Sequence, residues 1–534
     1  KNPHLTAEVL RERWLSELAA AGHLDPDHPV NVWALPLGRL DRDQVVATVL
    51  GRLGAARSGW NSADIRGEVE IRLAAANIVC EPAVRVELAE DLTARAIDAC
   101  IPLIPGRIGV PEHVRALTSP AVLEVEADLV DRLTARAPDA GRERAPDPVI
   151  ETPGLDPQQR TAAARLVGTD RLVVVEGAAG AGKTTLLAAV TVHQAQHRRG
   201  MLIVTPTLQA AQVAARETRA PACSAAKLAH TYGWRWSSDG VWARLRPGEL
   251  DPVTGRAFEP PAAGWPWRGG LLVVDEAAML DQDTARALLV VADEQRWRVA
   301  LVGDRHQLPA VGRGGVLDHA ARLVDPVPLH AVHRFTTSDT AGRTVTDREY
   351  ARLSIAMRTG TDPATVFDEL TARGQTQLHN STAEAIAALA ELVATERAKG
   401  RDPLLLASTR EQVSALNDAV RARLVAAGLV EDSGAATTGA GERIGVGDTV
   451  ATRRNDRGLG VANRQSWTVT AVHPDGSLAV TAGQEERTLP PGYVHRYVEP
   501  AYATTVHGPR ARPSPPRTCC WTPSTRPPLP RMSG

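Results

Sequence analysis

The 534-residue chain has no excess of either charge: 61 Lys and Arg stand against 62 Asp and Glu, for a formal net charge of −1. No global basic field exists, so nucleic-acid binding, if any, must use a local groove. Cysteine is scarce. Cys80, Cys100 and Cys223 are isolated and Cys519-Cys520 lie in the tail, which builds no disulfide framework and fits a reducing, cytoplasmic setting. No apolar run reaches the roughly 18 residues that span a bilayer, which argues against membrane insertion, and no signal-peptide pattern opens the chain. The first residue is Lys1 and not Met, as in a fragment or a processed product. Repeats at solenoid periods are missing. Clustered histidines are missing too: the fifteen are scattered without an H-x-H pattern. The helix-spaced pairs His193/His197 and His330/His333 read as surface or packing residues rather than metal ligands.

What is present is an ordinary globular composition, long enough for several domains. Residues 1–137 read as helical, with apolar residues at helical spacing in Ala83–Ala99 and Pro120–Ala137. Residues 138–154 are Pro-rich and charged, as in a linker. From 155 to 330, short apolar runs at Leu172–Val175, Leu202–Val204, Leu271–Val274 and Val299–Val302 alternate with helical segments. That alternation predicts a parallel sheet with crossover helices. A second such unit is expected over 331–436 and 498–508, with Leu404–Ala407 as its strand and Val413–Leu424 as its helix. Between its halves, 437–497 alternates at period two around a Pro474-Asp475-Gly476 turn, as in a small β-barrel.

The strongest motif runs from Gly177 through Ala178, Gly180, Ala181 and Gly182 to Lys183 and Thr184, followed by Thr185. It fits the P-loop pattern G-x-x-x-x-G-K-[ST], and it lies after an expected strand and before an expected helix. Glycines let the backbone wrap a phosphate, whose charge the N–H groups and the helix start then face. Lys183 is placed to reach the β/γ-phosphates of ATP, and Thr184 to hold Mg²⁺. Downstream, the apolar run from Leu271 ends in Asp275 and Glu276. In that position Asp275 binds Mg²⁺ and Glu276 polarises the water that attacks the γ-phosphate.

These motifs sit in a larger pattern. Gly303-Asp304-Arg305-His306-Gln307-Leu308-Pro309 closely resembles motif III of superfamily-1 helicases, and Asp275–Met279 resembles motif II. Leu155–Arg160 resembles the Q-motif, Thr205-Pro206-Thr207 motif Ia, Leu329–Phe335 motif IV, and Tyr502–His507 the first half of motif V. The resemblance implies an α/β fold of two RecA-like P-loop domains with an inserted SH3-like β-barrel. It implies that Gln159 reads the adenine edge, that Gln307 and Arg334 contact the γ-phosphate, and that Pro206, Thr207, Thr505 and His507 grip single-stranded DNA. Candidate base-stacking residues are Trp234, Trp236, Trp242, Trp265, Trp267 and Phe335; the four that open this series of tryptophans, and Trp267, equally suit a local core. Gly447–Asp456 leading into motif V, the stretches Trp60–Asp64 and Val110–Ser119, and the Ala/Arg/Gly-rich, Lys-poor composition resemble the helicase portion of MobF-class (TraA/TrwC-like) conjugative relaxases of actinobacterial type. That family implies 5′→3′ movement and a role beside the conjugative transfer machinery. No nicking is expected, because the clustered histidines of a relaxase are missing.

After His507 the family continues x-x-Gln-Gly-x-Thr-Val and, later, an arginine finger. Here the chain reads Gly508-Pro509-Arg510-Ala511-Arg512-Pro513-Ser514 and ends in a Pro/Arg-rich tail. Codons permitted for Pro509–Ser514, read from the third base, spell Gln-Gly-Ala-Thr-Val. Residues 509–534 are therefore expected to be a frame-shifted, disordered tail, and hydrolysis is expected to be weak. Two other readings stay open: a stand-alone RecD-like repair helicase, and an inactive ATP- or DNA-binding remnant of a mobile element.

Overall fold

A computed structural model describes residues 11, 14–16, 35–106, 110–138, 148–150, 152–237, 239–262, 269–333, 335–338, 344–456, 458–506 and 517–519. Arg334, His507, Trp265, Trp267, most of the linker and most of the tail lie outside these residues. The chain divides into two compact units, 1–126 with 236–243, and 127–235 with 244–534.

The first unit is built on α1 (Arg42–Ala56), α2 (Ser62–Ala75) and α3 (Pro82–Asp98). Asn61 and Asp64 form a capping box that starts α2, satisfying N–H groups the helix itself cannot. Ile65, Val69 and Leu73 recur at helical spacing and bury one face of α2 against Val49, Leu88 and Leu92. Trp60, fully buried, donates its indole N–H to Cys100 Sγ at 3.3 Å. The residues 236–243 bring Trp236 and Trp242 into this unit, stacked with ring centroids 4.8 Å apart.

In the second unit the chain runs α4 (Pro157–Val167), β1 (Leu172–Gly177), α5 (Lys183–Gln196), β2 (Met201–Thr205), α6 (Leu208–Thr218), β3 (Ala222–Ser224), β4 (Leu271–Asp275), α7 (Gln282–Glu294), β5 (Arg298–Gly303) and β6 (Val327–Leu329). All six strands are parallel, in the order β6-β1-β5-β4-β2-β3. The four apolar runs become β1, β2, β4 and β5, each one or two residues longer than the sequence pattern suggested. Their inner residues are buried, as in a sheet covered on both faces. Short β3 and β6 carry too few apolar residues to have been recognised beforehand.

Next come α8 (Arg348–Thr359), β7 (Leu404–Ala407) and α9 (Arg410–Ala426). An antiparallel sheet follows, formed by β8 (Thr449–Thr452), β9 (Ser466–Val472), β10 (Leu478–Ala482), β11 (Glu485–Leu489) and β12 (Val498–Pro500), in the order β11-β10-β9-β8-β12. β12, which follows the boundary expected at 497, pairs with β8 and so lies in the same sheet as the strands expected to form the insert. Finally β13 (Ala503–Thr505) and β14 (Arg517–Cys519) flank β7, both parallel to it. The expectation of a tail without strand structure is thus corrected at 517–519. The helix α9 is anchored to the insert and to β13 together: Arg421 Nε donates to Asp448 at 3.0 Å, the Tyr502 hydroxyl donates to the same carboxylate, and Asn417 bonds Pro500 and Ala503.

Candidate active site

Parallel strands present their C-terminal ends at one edge of the sheet, and the loops that follow meet there. The P-loop leaves β1, the acidic pair ends β4, and the Gln307 loop leaves β5, which lies between them. Strand order therefore gathers residues that are remote in sequence around one place.

The glycine turn takes the shape its composition requires. Gly180 and Gly182 have φ of 86° and 77°, in the left-handed region. A Cβ on Gly182 would come within 2.1 Å of Gln159 Nε2. Lys183 opens α5 and folds back over the turn, donating to the carbonyls of Gly177 at 2.8 Å and Ala178 at 3.3 Å. Thr184 is half-buried and Thr185 exposed beside it.

Gln159 lies under the turn. Its Oε1 accepts from the Asp156 N–H at 3.0 Å, closing a capping box, and its Nε2 donates to the carbonyls of Ala181 and Gly182 at 3.3 and 3.4 Å. It is buried and braces the P-loop from below. His333 approaches the same turn. Its N–H donates to Gly180 O at 2.9 Å and its ring lies 3.0 Å from an Asp156 oxygen, while the His330 N–H donates to Gln158 at 2.8 Å. The segment preceding Arg334 is thereby fastened to the phosphate turn, which spacing alone did not reveal. A groove of about 830 Å³ opens there between His330–His333 and Val345, Arg348 and Ile355.

Asp275 ends β4 half-buried, and its Oδ1 accepts from the Glu276 N–H at 3.0 Å. Burial, and then the neighbouring Glu276, push its carboxyl up to about 6, against the pull of Lys183. Glu276 has φ of 54°, an uncommon conformation for a side chain of its size. Asp275 and Glu276 are crowded carboxylates with the Lys183 ammonium nearby, and they and the Thr184 hydroxyl at the start of α5 are hard oxygen donors of the kind Mg²⁺ takes. Gln307 follows β5, and its Nε2 donates to Asp304 Oδ2 at 3.4 Å. Burial raises the Asp304 carboxyl, but Arg358, the His306 N–H and Lys183 together bring it below the usual range. Arg358, on α8, was not recognised from sequence, because a single arginine in Ala356-Met357-Arg358-Thr359 matches no motif.

Of the residues expected to grip DNA, Thr207 is exposed and caps α6 through the Ala210 N–H at 3.2 Å, and Pro206 is half-buried beside it. Thr505 pairs with Ala407 at the end of β13. Among the aromatics, Trp234 is buried, with the Arg244 guanidinium 5.7 Å over its ring, and so belongs to a local core. Trp236 is exposed, and Phe335 meets Tyr350 edge-on at 4.8 Å. His193 and His197 stack on each other at 4.1 Å.

The fold and this glycine turn define a P-loop nucleotide-binding domain, and residues 154–381 match the AAA domain family. More particularly, about two thirds of the chain is similar to TraA proteins. It is 24% identical over 356 residues to the probable conjugal transfer protein TraA of Sinorhizobium fredii, covering 66% of this chain and 29% of that protein. It is 25% identical over 370 residues to the conjugal transfer protein TraA of Agrobacterium fabrum, again covering 66% and 29%. The chain thus spans less than a third of the length of these relatives. Among solved structures, Bacteroides Pif1 bound to single-stranded DNA is similar at 15% identity and a TM-score of 0.39, over 70% of this chain and 86% of that one.

Proposed function

We propose that the chain is the ATP-driven motor of a conjugative DNA-transfer protein, a 5′→3′ translocase or helicase on single-stranded DNA of the RecD-like superfamily-1 type. The observation that carries this reading is that the P-loop with Lys183, the Asp275-Glu276 pair and the Gln307 loop follow three adjacent parallel strands, with Lys183 acting on Asp275. Similarity to TraA proteins supports the conjugative context. The two parallel sheets fit a pair of RecA-like domains, and the five-stranded insert fits an SH3-like barrel.

In this mechanism the P-loop N–H groups and Lys183 bind the phosphates, and the ammonium exchanges the Gly177 and Ala178 carbonyls for phosphate oxygens. Thr184 and Asp275 would hold Mg²⁺, which when bound neutralises phosphate charge. Glu276 orients and deprotonates the attacking water. Gln307 senses the γ-phosphate, and Arg334 is proposed to meet it from the second motor segment. Gln159 is proposed to read the base once nucleotide draws its amide from the P-loop carbonyls. The strand lies across Pro206, Thr207, Thr505 and His507, held by its backbone and by stacking rather than by sequence. A cytoplasmic location goes with this role. Because residues 508–514 depart from motif V, binding of Mg·ATP with weak turnover is expected.

Nucleotide titration followed by ATPase assay with and without single-stranded DNA tests this. Binding that depends on Lys183, with slow turnover, is the expected result. Strong DNA-stimulated turnover would refute the weak-hydrolysis part. A chain that binds no nucleotide would refute the motor itself.

A further inference from the structure

We propose that Arg358 is a positioning residue for Gln307, acting through the buried Asp304 carboxylate. This inference rests on the reading of Gln307 as the γ-phosphate sensor. Asp304 is 1% exposed, and a carboxylate so buried needs a counter-charge. Arg358 supplies it in a forked arrangement. Its Nε lies 2.8 and 3.0 Å from the two Asp304 oxygens, and its Nη2 lies 2.7 Å from Oδ1. The same Nη2 reaches Glu176 Oε1 at 3.2 Å, on the strand that leads into the P-loop. Arg305 holds the other Glu176 oxygen at 2.8 and 3.0 Å, so that carboxylate is fixed from both sides.

With its oxygens held by Arg358, Asp304 offers Oδ1 to the His306 N–H at 3.0 Å and Oδ2 to the Gln307 amide at 3.4 Å. Its carbonyl also accepts the Gln307 N–H at 3.2 Å. Removing Arg358 leaves a buried carboxylate without its cation. Asp304 must then take up a proton or turn toward water, and either change weakens or redirects the acceptor that orients the Gln307 amide. Arg358 belongs to α8, in the segment beyond β6. The contact therefore also ties that segment to the P-loop strand through one guanidinium, in a planar fork that lysine cannot reproduce.

The test compares affinities for ADP and for a non-hydrolysable ATP analogue, which separates γ-phosphate sensing from general nucleotide binding and needs no turnover. In Arg358→Ala, analogue affinity should fall roughly tenfold to a hundredfold, the range for a hydrogen bond to a charged group. ADP affinity should stay within about twofold. Arg358→Lys should fall between Ala and wild type, and Arg358→Ala should add little in a Gln307→Ala background. An equal loss for ADP and analogue, or full additivity with Gln307→Ala, would overturn the proposal and leave Arg358 a structural residue. Should Arg358→Ala fail to fold, Arg358→Lys and Asp304→Asn are read by the same ratio. Failure of the underlying reading looks different: the unaltered protein then binds neither nucleotide, or binds both independently of Lys183.

Discussion

Substituting Gly182 by alanine tests the phosphate turn through two separable costs. The first is conformational. Gly182 sits at φ 77°, where a Cβ costs about 1–2 kcal/mol. The second is steric. The new Cβ would lie 2.1 Å from Gln159 Nε2, so the amide must leave, giving up its bonds to the Ala181 and Gly182 carbonyls. At about 0.5–1.5 kcal/mol per bond the two costs sum to about 3 kcal/mol. If the turn must regain its native shape to hold phosphate, nucleotide affinity falls roughly a hundredfold. The decisive comparison repeats the substitution in a Gln159→Ala background. There the amide is already gone and only the conformational cost remains, so Gly182→Ala should weaken fluorescent-ADP binding by only about tenfold. The same hundredfold loss in both backgrounds would refute the idea that Gln159 braces the turn, and unchanged affinity in the single variant would refute the strained geometry as well.

Other consequences are open to measurement. Glu276→Gln should keep nucleotide affinity and lower turnover by about 10²–10⁴, read as kcat against KM, since only the proton acceptor is removed. Lys183→Ala should abolish nucleotide-dependent thermal stabilisation, because binding is what raises the apparent Tm. Arg136 is buried and pairs with Asp293 at 2.5 Å and with the Trp297 carbonyl at 2.8 Å, so Arg136→Ala should cost about 2 kcal/mol, seen as a lower denaturation midpoint. Asp304 titrates below its ordinary range in the folded chain, so its contribution to stability is full above about pH 4 and is lost as pH falls through the folded value. The stability gap between wild type and Asp304→Asn should accordingly be widest near neutral pH and close under acid; a gap independent of pH would contradict the Arg358–Asp304 pairing.

The sequence by itself determined the phosphate turn, the acidic strand end, the four buried strands of the first sheet and the alternating insert. Each depends on rules that act within a few residues: glycine where φ must be positive, apolar runs where both faces are covered, alternation where one face is wet. Tertiary structure alone decided the rest. The strand order set β5 between the P-loop strand and the acidic strand, and β12 joined the insert because β8 lay open to pair with it. Gln159 turned toward the P-loop carbonyls, His333 fastened to Gly180 and Asp156, and Arg358 found Asp304 and Glu176, which lie 54 and 182 positions away along the chain. Such partners share no spacing. They are selected by burial, because a carboxylate or amide removed from water takes whichever charge or donor the folded chain brings within reach.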